Sequence, residues 1–392
     1  MKTIISIISV IILSSGLLIA QEGYELVLAE ILKNNTSLEA YRQQAKADKL
    51  DSKVGIYLQN PEIGFNYLWG SPAEIHNRTD INVMQSFDFP TSYSHRKKIS
   101  DIRASQVDMA YMNELALIKY ETRLVCIDLV YYAALIKENK KRLEYAESIA
   151  EAITAMYEQG KENILEKNKA QLNYASASSE HMLLIADMNN LMADLKRLNG
   201  GKEIDFPYTE YPAVHFPDEY DEWFRQMETD NPYFLYLNAQ VSISEKEEKL
   251  IRAMSLPRLS AGYMSEKVGG EQHQGLSVGM SIPLWENKNS VKAARAQTAA
   301  NLAVVEDSRL QVYTRLSANF ERVKHLQKAV DSYSSALIGS NNTDLLKKAY
   351  DLGEISLIEY LVEVQFYFDT MVKSLEAQRE MQKAIAELQK WE

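Results

Sequence analysis

The sequence predicts a mainly α-helical chain with a membrane β-barrel portion, built as two copies of one unit: two strands followed by a long helical hairpin. Three observations carry this expectation: an internal duplication, a partition of the prolines, and four segments that alternate with period two. In the duplication, 193 residues separate Pro90 from Pro283, Tyr157 from Tyr350, Gly160 from Gly353 and Glu166 from Glu359. The offset is 196 between Asn35 and Asn231 and between Pro61 and Pro257, so the second copy is three residues shorter between its flanking prolines. A period this long lies far beyond the roughly 20–50 residues of a solenoid repeat and indicates two equivalent halves. They are expected at 21–205 and 206–392.

The elements follow in chain order. Residues 1–20 read as a secretory leader: Lys2 supplies the basic start, Ile4 to Ile12 the apolar run, and Leu18-Ile19-Ala20 a small-residue cleavage point before Gln21. A membrane anchor is the competing reading, but Ser14, Ser15 and Gly16 interrupt the run. No cysteine stands directly after the cleavage point, which argues against an N-terminal lipid anchor. Cys126 is the one cysteine, so an internal disulfide is impossible, and it reads as a small buried apolar residue. The formal net charge of −11 disfavours nucleic acid as a partner. After residue 20 nothing approaches the ~20 apolar residues of a membrane helix, so this chain would cross a membrane only with strands.

All nine prolines fall within 61–90, 207–232 and 257–283. The stretches between them are rich in Ala, Leu, Lys, Glu and Gln, and Gly160 is the lone glycine between Gly70 and Gly200. Such composition predicts helices. Pro90 to Gly160 and Pro283 to Gly353 each span 70 residues, which as helix is about 105 Å. Tyr111, Ile118, Val125, Tyr132 and Asn139 recur every seven residues, interleaved with Leu115, Thr122, Leu129, Ile136 and Leu143, as in a left-handed coiled-coil seam whose polar interruptions are Thr122 and Asn139. Further helices are expected at about 22–59, 161–198, 218–255 and 354–392. Asn199-Gly200-Gly201, Pro207, Pro212 and Pro217 separate the second from the third.

Strands are expected at about 61–69, 80–89, 257–265 and 274–282. Ile63, Phe65, Tyr67 and Trp69 alternate with Gly64, Asn66 and Leu68, and Leu276, Val278, Met280 and Ile282 alternate with Ser277, Gly279 and Ser281. Period-two patterning over ~9 residues is what a membrane-barrel strand requires; four half-buried strands of a soluble sheet compete with it. Polar loops, Gly70 to Thr79 and Glu266 to His273, join the pairs.

Asn60-Pro61-Glu62-Ile63 enters the first strand, while Phe89-Pro90 and Ile282-Pro283-Leu284-Trp285 lead out into the long helices. The two Tyr-x-x-Gly segments continue to Glu166 and Glu359, six residues past each glycine. These motifs, in this order and duplicated after a leader, resemble the TolC family of outer-membrane efflux proteins over essentially the whole mature chain. The resemblance implies a homotrimer in which each chain gives four strands to a 12-stranded β-barrel in the outer membrane of a double-membraned bacterium. A periplasmic α-helical barrel would continue it, with an equatorial belt at about 199–231. It places helical tips at 157–166 and 350–359, with Tyr157, Gly160, Tyr350 and Gly353 as adaptor-docking residues and Glu166, Glu359 and Tyr350 at the periplasmic aperture. Solvated surface charge is the competing reading of the two glutamates. The family's best-known gate also uses an arginine two residues past the second tip glycine, where this chain has Ile355. The implied function is a passive exit duct of a tripartite efflux or type I secretion system, whose partners are a periplasmic adaptor, an inner-membrane pump and outer-membrane lipid.

Enzymatic readings find no support. His76, His95, His181, His215, His273 and His325 form no HExxH and no cluster with cysteine, and neither Gly-Gly pair lies in a phosphate-binding motif. No cofactor or metal is expected. The alternative is a periplasmic coiled-coil scaffold or adaptor with a small β-domain, which would be expected to carry one helical hairpin where this chain carries two. Metal ions, drugs and polypeptides all remain open as cargo.

Overall fold

The computed structural model describes residues 25–72, 75–212, 216–339 and 343–391. The expected leader and its cleavage point lie outside them, as do residues 213–215 of the expected belt. The chain is mainly helical. Helix α1 covers 25–34, followed by α2 (Thr36–Asp51), β1 (Glu62–Leu68), β2 (Arg78–Phe87), α3 (Pro90–Glu158), α4 (Ile164–Leu198), α5 (Tyr220–Asp230) and α6 (Pro232–Met254). The second half continues with β3 (Arg258–Val268), β4 (Glu271–Ser281), α7 (Ser290–Gly339), α8 (Thr343–Asp351) and α9 (Leu357–Leu388). Among the described residues no helix is long and apolar enough to cross a membrane.

Two compact units divide the chain: Met1–Glu39, Glu114–Arg225 and Tyr313–Glu392 form one, Ala40–Asn113 and Gln226–Val312 the other. Each sequence repeat contributes to both units, because long helices such as α3 pass from one into the other.

The second unit holds one antiparallel sheet of order β1-β2-β3-β4. Its register aligns Ile63, Val83, Tyr263 and Leu276 in one cross-strand row, and Phe87, Leu259 and Met280 in another. Ile63, Val83, Leu259, Tyr263, Leu276, Val278 and Met280 on this face are exposed. The opposite face carries rows of mostly small and polar residues, each with one methionine: Gly64, Asn82, Met264 and Gly275, then Glu62, Met84, Gly262 and Ser277. An apolar face turned to solvent is the inverse of a soluble half-buried sheet and matches a barrel wall. The β3–β4 connection is tighter than the expected Glu266–His273 loop. Gly269 and Gly270, at φ +57° and +97°, make a two-residue turn with the positive φ at both centres that a type I′ hairpin needs, so pairing runs on to Val268 and Glu271.

The first unit is helical. Buried residues of the expected seam, Ile118, Thr122, Leu129 and Asn139, lie on α3. The expected 218–255 helix is two helices, because Asn231 caps α6 with its Oδ1 accepting from Tyr233 N–H at 2.9 Å and Pro232 opens it. Asn35, its counterpart 196 residues earlier, does the same for α2, accepting from Leu38 N–H at 2.9 Å. The second long helix also departs from its counterpart. It starts at Ser290 rather than near Pro283, after an asparagine-rich turn in which Asn289 takes φ +67°, and α7 gives way to α8 between Gly339 and Thr343.

Candidate functional site

The expected tips are two helical reversals within the first unit. Each is five residues long: 159–163 between α3 and α4, 352–356 between α8 and α9. Gly160 and Gly353 stand at φ +70° and +74°. Gly160 N–H donates to the Tyr157 carbonyl and Lys161 N–H to the Met156 carbonyl, both at 2.9 Å; Gly353 and Glu354 repeat the pair onto Tyr350 and Ala349 at the same distance. This is the Schellman arrangement, in which a left-handed glycine turns the chain and its neighbours satisfy the last helical carbonyls. Open space surrounds the position of a Cβ at either glycine, so conformation alone selects glycine there.

The helices that leave the turns are capped by side chains. Asn163 Oδ1 accepts from Leu165 and Glu166 N–H at 2.9 and 3.0 Å. Ser356 Oγ accepts from Glu359 N–H at 3.3 Å, while Glu359 Oε2 accepts from Ser356 N–H at 2.8 Å, closing a capping box. Glu166 and Glu359 are therefore both third residues of their helices. Hydrogen bonds from the Ser356 backbone and then its hydroxyl hold the Glu359 carboxyl below its ordinary pKa. Glu166 instead meets Lys169 Nζ at 2.5 Å.

The duplicated tyrosines find different partners at equivalent places. Lys167 sits over the Tyr157 ring at 4.8 Å, whereas Tyr360, at the matching offset of 193, meets Tyr350 with ring centroids 5.4 Å apart. Tyr350 and Ile355 pack onto a core of Ile149, Ile153, Ala170, Leu357, Tyr360 and Val364, so the residue standing where the family gate has arginine is a packing group. Burial raises the Tyr350 hydroxyl pKa, with the charges of Glu162, Asp351 and Glu166 adding to it. The structure thus brings Glu166 near Tyr350, and turns Glu359 onto its own helix end.

Sequence reading missed the caps Asn163 and Ser356, although Ser356-x-x-Glu359 is a legible capping-box signature. It also missed the hydrogen bond of Tyr145 to Asp344, 2.6 Å, which ties α3 to α8. Beside the first reversal, Glu147, Glu151, Glu158, Ala150 and Tyr174 line an open groove of about 500 Å³. Beside the second, Leu337, Leu346, Phe366 and Tyr367 line a smaller one of about 270 Å³.

No family model and no curated protein sequence matches the chain. Solved structures do. The Campylobacter jejuni CmeC outer membrane channel matches with a TM-score of 0.78 at 16% identity, over 94% of this chain and 85% of that one. CusC, described for transmembrane channel formation, matches with a TM-score of 0.76 at 14% identity over 94% and 92%. The VceC outer membrane protein of Vibrio cholerae gives 0.72 at 12% identity over 94% of each chain. The resemblance carried by the sequence motifs is met in the fold: this chain has the fold of the TolC-type outer membrane channels.

Proposed function

We propose that the chain is an outer-membrane exit channel of an export system, its strands in the bilayer and its helices in the periplasm. One observation carries the reading: a four-stranded sheet with an exposed apolar face and two open edges, β1 and β4, continues directly into a helix of 69 residues. Ten strand residues at about 3.3 Å each, tilted ~40°, give a band near 25 Å, the height of a barrel's apolar belt. Open edges are not tolerated in lipid. Known membrane barrels start at about eight strands, so at least two chains must join; three, as the resemblance implies, make a 12-stranded barrel.

The reversals are then the periplasmic end. Tyr157, Gly160, Tyr350 and Gly353 shape the tips on which a periplasmic adaptor docks, and Glu166, Glu359 and Tyr350 surround the aperture, where rings of carboxylates favour cations. Capping does not remove the charge of Glu359, so the ring and the cap are compatible. The chain conducts passively and receives cargo from an inner-membrane pump.

Extraction and bilayer recording test the reading. The protein is expected to need detergent, to migrate unheated as an oligomer of three chains, and to open discrete conductances in planar bilayers. A detergent-free monomer without conductance refutes it and favours the periplasmic scaffold.

A further inference from the structure

The base of the sheet in the second unit is the level at which β2 leads into α3, β4 leads into α7 and α6 leads into β3. This level is rich in cations in a chain of net charge −11. Lys97, Lys98, Lys249, Lys288 and Lys292 are exposed, and none makes an ion pair among the described residues. Neither α3 nor α7 has an acidic residue in its first turn, although at the 193-residue offset Lys97 and Lys98 correspond to Ser290 and Val291 rather than to lysines. Helix N-termini carry partial positive charge and favour acids within the first turn, so Lys292, in the first turn of α7, runs against local helix preference, while Lys97 and Lys98 lie beyond the first turn of α3. A shared positive field is felt by His95, whose pKa is pushed down first by burial and then by Lys98, Lys249 and Lys246, from α3 and α6.

The order of residues leaving the sheet is also informative. The apolar face gives way to Ile282, Leu284 and Trp285, all exposed, then to Glu286, whose charge is paired with Arg258 at 3.4 Å, and then to Lys288 and Lys292. Tryptophan settles at a membrane interface, and cations lie just outside it among the phosphates. Helical side chains lean toward the helix N-terminus, which in α3 and α7 is the sheet end. Lys97 and Lys98 lie about 10–12 Å along α3 at 1.5 Å per residue, and their long stems lean back toward a headgroup layer of about 5–8 Å.

We propose that Lys97, Lys98, Lys288 and Lys292 form a cationic collar that binds the phosphate headgroups of anionic phospholipid in the leaflet facing the helices. The collar rests on the membrane reading of the sheet and supplies the polar counterpart of its apolar band.

The test uses the full-length oligomer in phosphatidylcholine vesicles with trace spin-labelled phosphatidylglycerol or phosphatidylcholine, read as the fraction of motionally restricted lipid. Phosphatidylglycerol should be selected about fivefold at low salt, and selection should vanish in about 1 M NaCl. The variant K97Q/K98Q/K288Q/K292Q should lose the selection, and the four-arginine variant should keep it, which controls for folding. Equal association of both lipids with the wild-type chain, or selection retained by the glutamine variant, overturns the collar while leaving the membrane reading intact. Absence of restricted lipid of either kind overturns the membrane reading as well. Phosphate that competes better than chloride at matched ionic strength would instead assign the lysines to a free-anion site and also overturn the proposal.

Discussion

Substitution of Gly353 isolates the cost of a left-handed turn residue from every other effect. At φ +74° an L side chain is strained by about 1–2 kcal/mol, and since a Cβ there meets nothing within 4 Å, no steric contribution is added. Two positions bracket it. Gly275 has no positive φ and equally open surroundings, so Gly275→Ala should be near neutral; Gly200 is at φ +67° and its Cβ would collide with the Asn34 carbonyl, so Gly200→Ala should cost more than Gly353→Ala. Asparagine, which tolerates this conformation, should cost less than alanine at 353, and valine more. The strain is local, so hydrogen exchange followed by mass spectrometry is the appropriate assay. Gly353→Ala should open amides at 350–357 about 5–30-fold more often and leave the sheet peptides unchanged. Uniform loss of protection across sheet and reversal, or a neutral Gly353→Ala, would refute the assignment of this glycine to turn conformation alone.

Other outcomes are expected with equal directness. Ser356→Ala removes the cap of α9 at about 1 kcal/mol. Because the Glu359 pKa is depressed in the fold, its stabilisation is present above the ordinary carboxylate range and lost as pH falls through the depressed value. Carboxyl NMR should therefore show Glu359 titrating low in wild type and somewhat higher in Ser356→Ala, which keeps the backbone N–H donor and loses the hydroxyl; identical titration would exclude the hydroxyl's share of that hydrogen bonding. Glu166→Gln with Glu359→Gln should lower cation selectivity and weaken block by multivalent cations with the oligomer intact, and unchanged recordings would place both carboxylates outside the aperture. Burial pushes the Cys126 thiol up to about 12, so maleimide labelling of the folded chain should be negligible at neutral pH and should track unfolding. Rapid labelling of the native protein would contradict that burial.

The proposed docking of an adaptor at the reversals has its own readout. Replacing Gly160 or Gly353 by valine should reduce export while the oligomer and strand content persist. Equal loss of folding and export would make the two glycines purely structural.

The repeat, the strand alternation and the glycine reversals were legible because each is set locally. Period-two patterning follows from the pleat, and Tyr-x-x-Gly works through its own backbone hydrogen bonds. The caps are equally local, yet the sequence reading passed over them: Asn231-Pro232 breaks α5 from α6 and Ser356-x-x-Glu359 closes a box, both by contacts within three residues. Only the tertiary structure decided what joins residues far apart in sequence. It set Tyr350 near Glu166, made Ile355 a packing residue, and drew Lys246 and Lys249 to the same His95 as Lys98. It also gave the equivalent Tyr157 and Tyr350 a lysine and a tyrosine as partners. The physical reason is one of range: turn and strand chemistry acts between neighbours along the chain, whereas charge fields and side-chain packing depend on which helices the fold brings alongside one another.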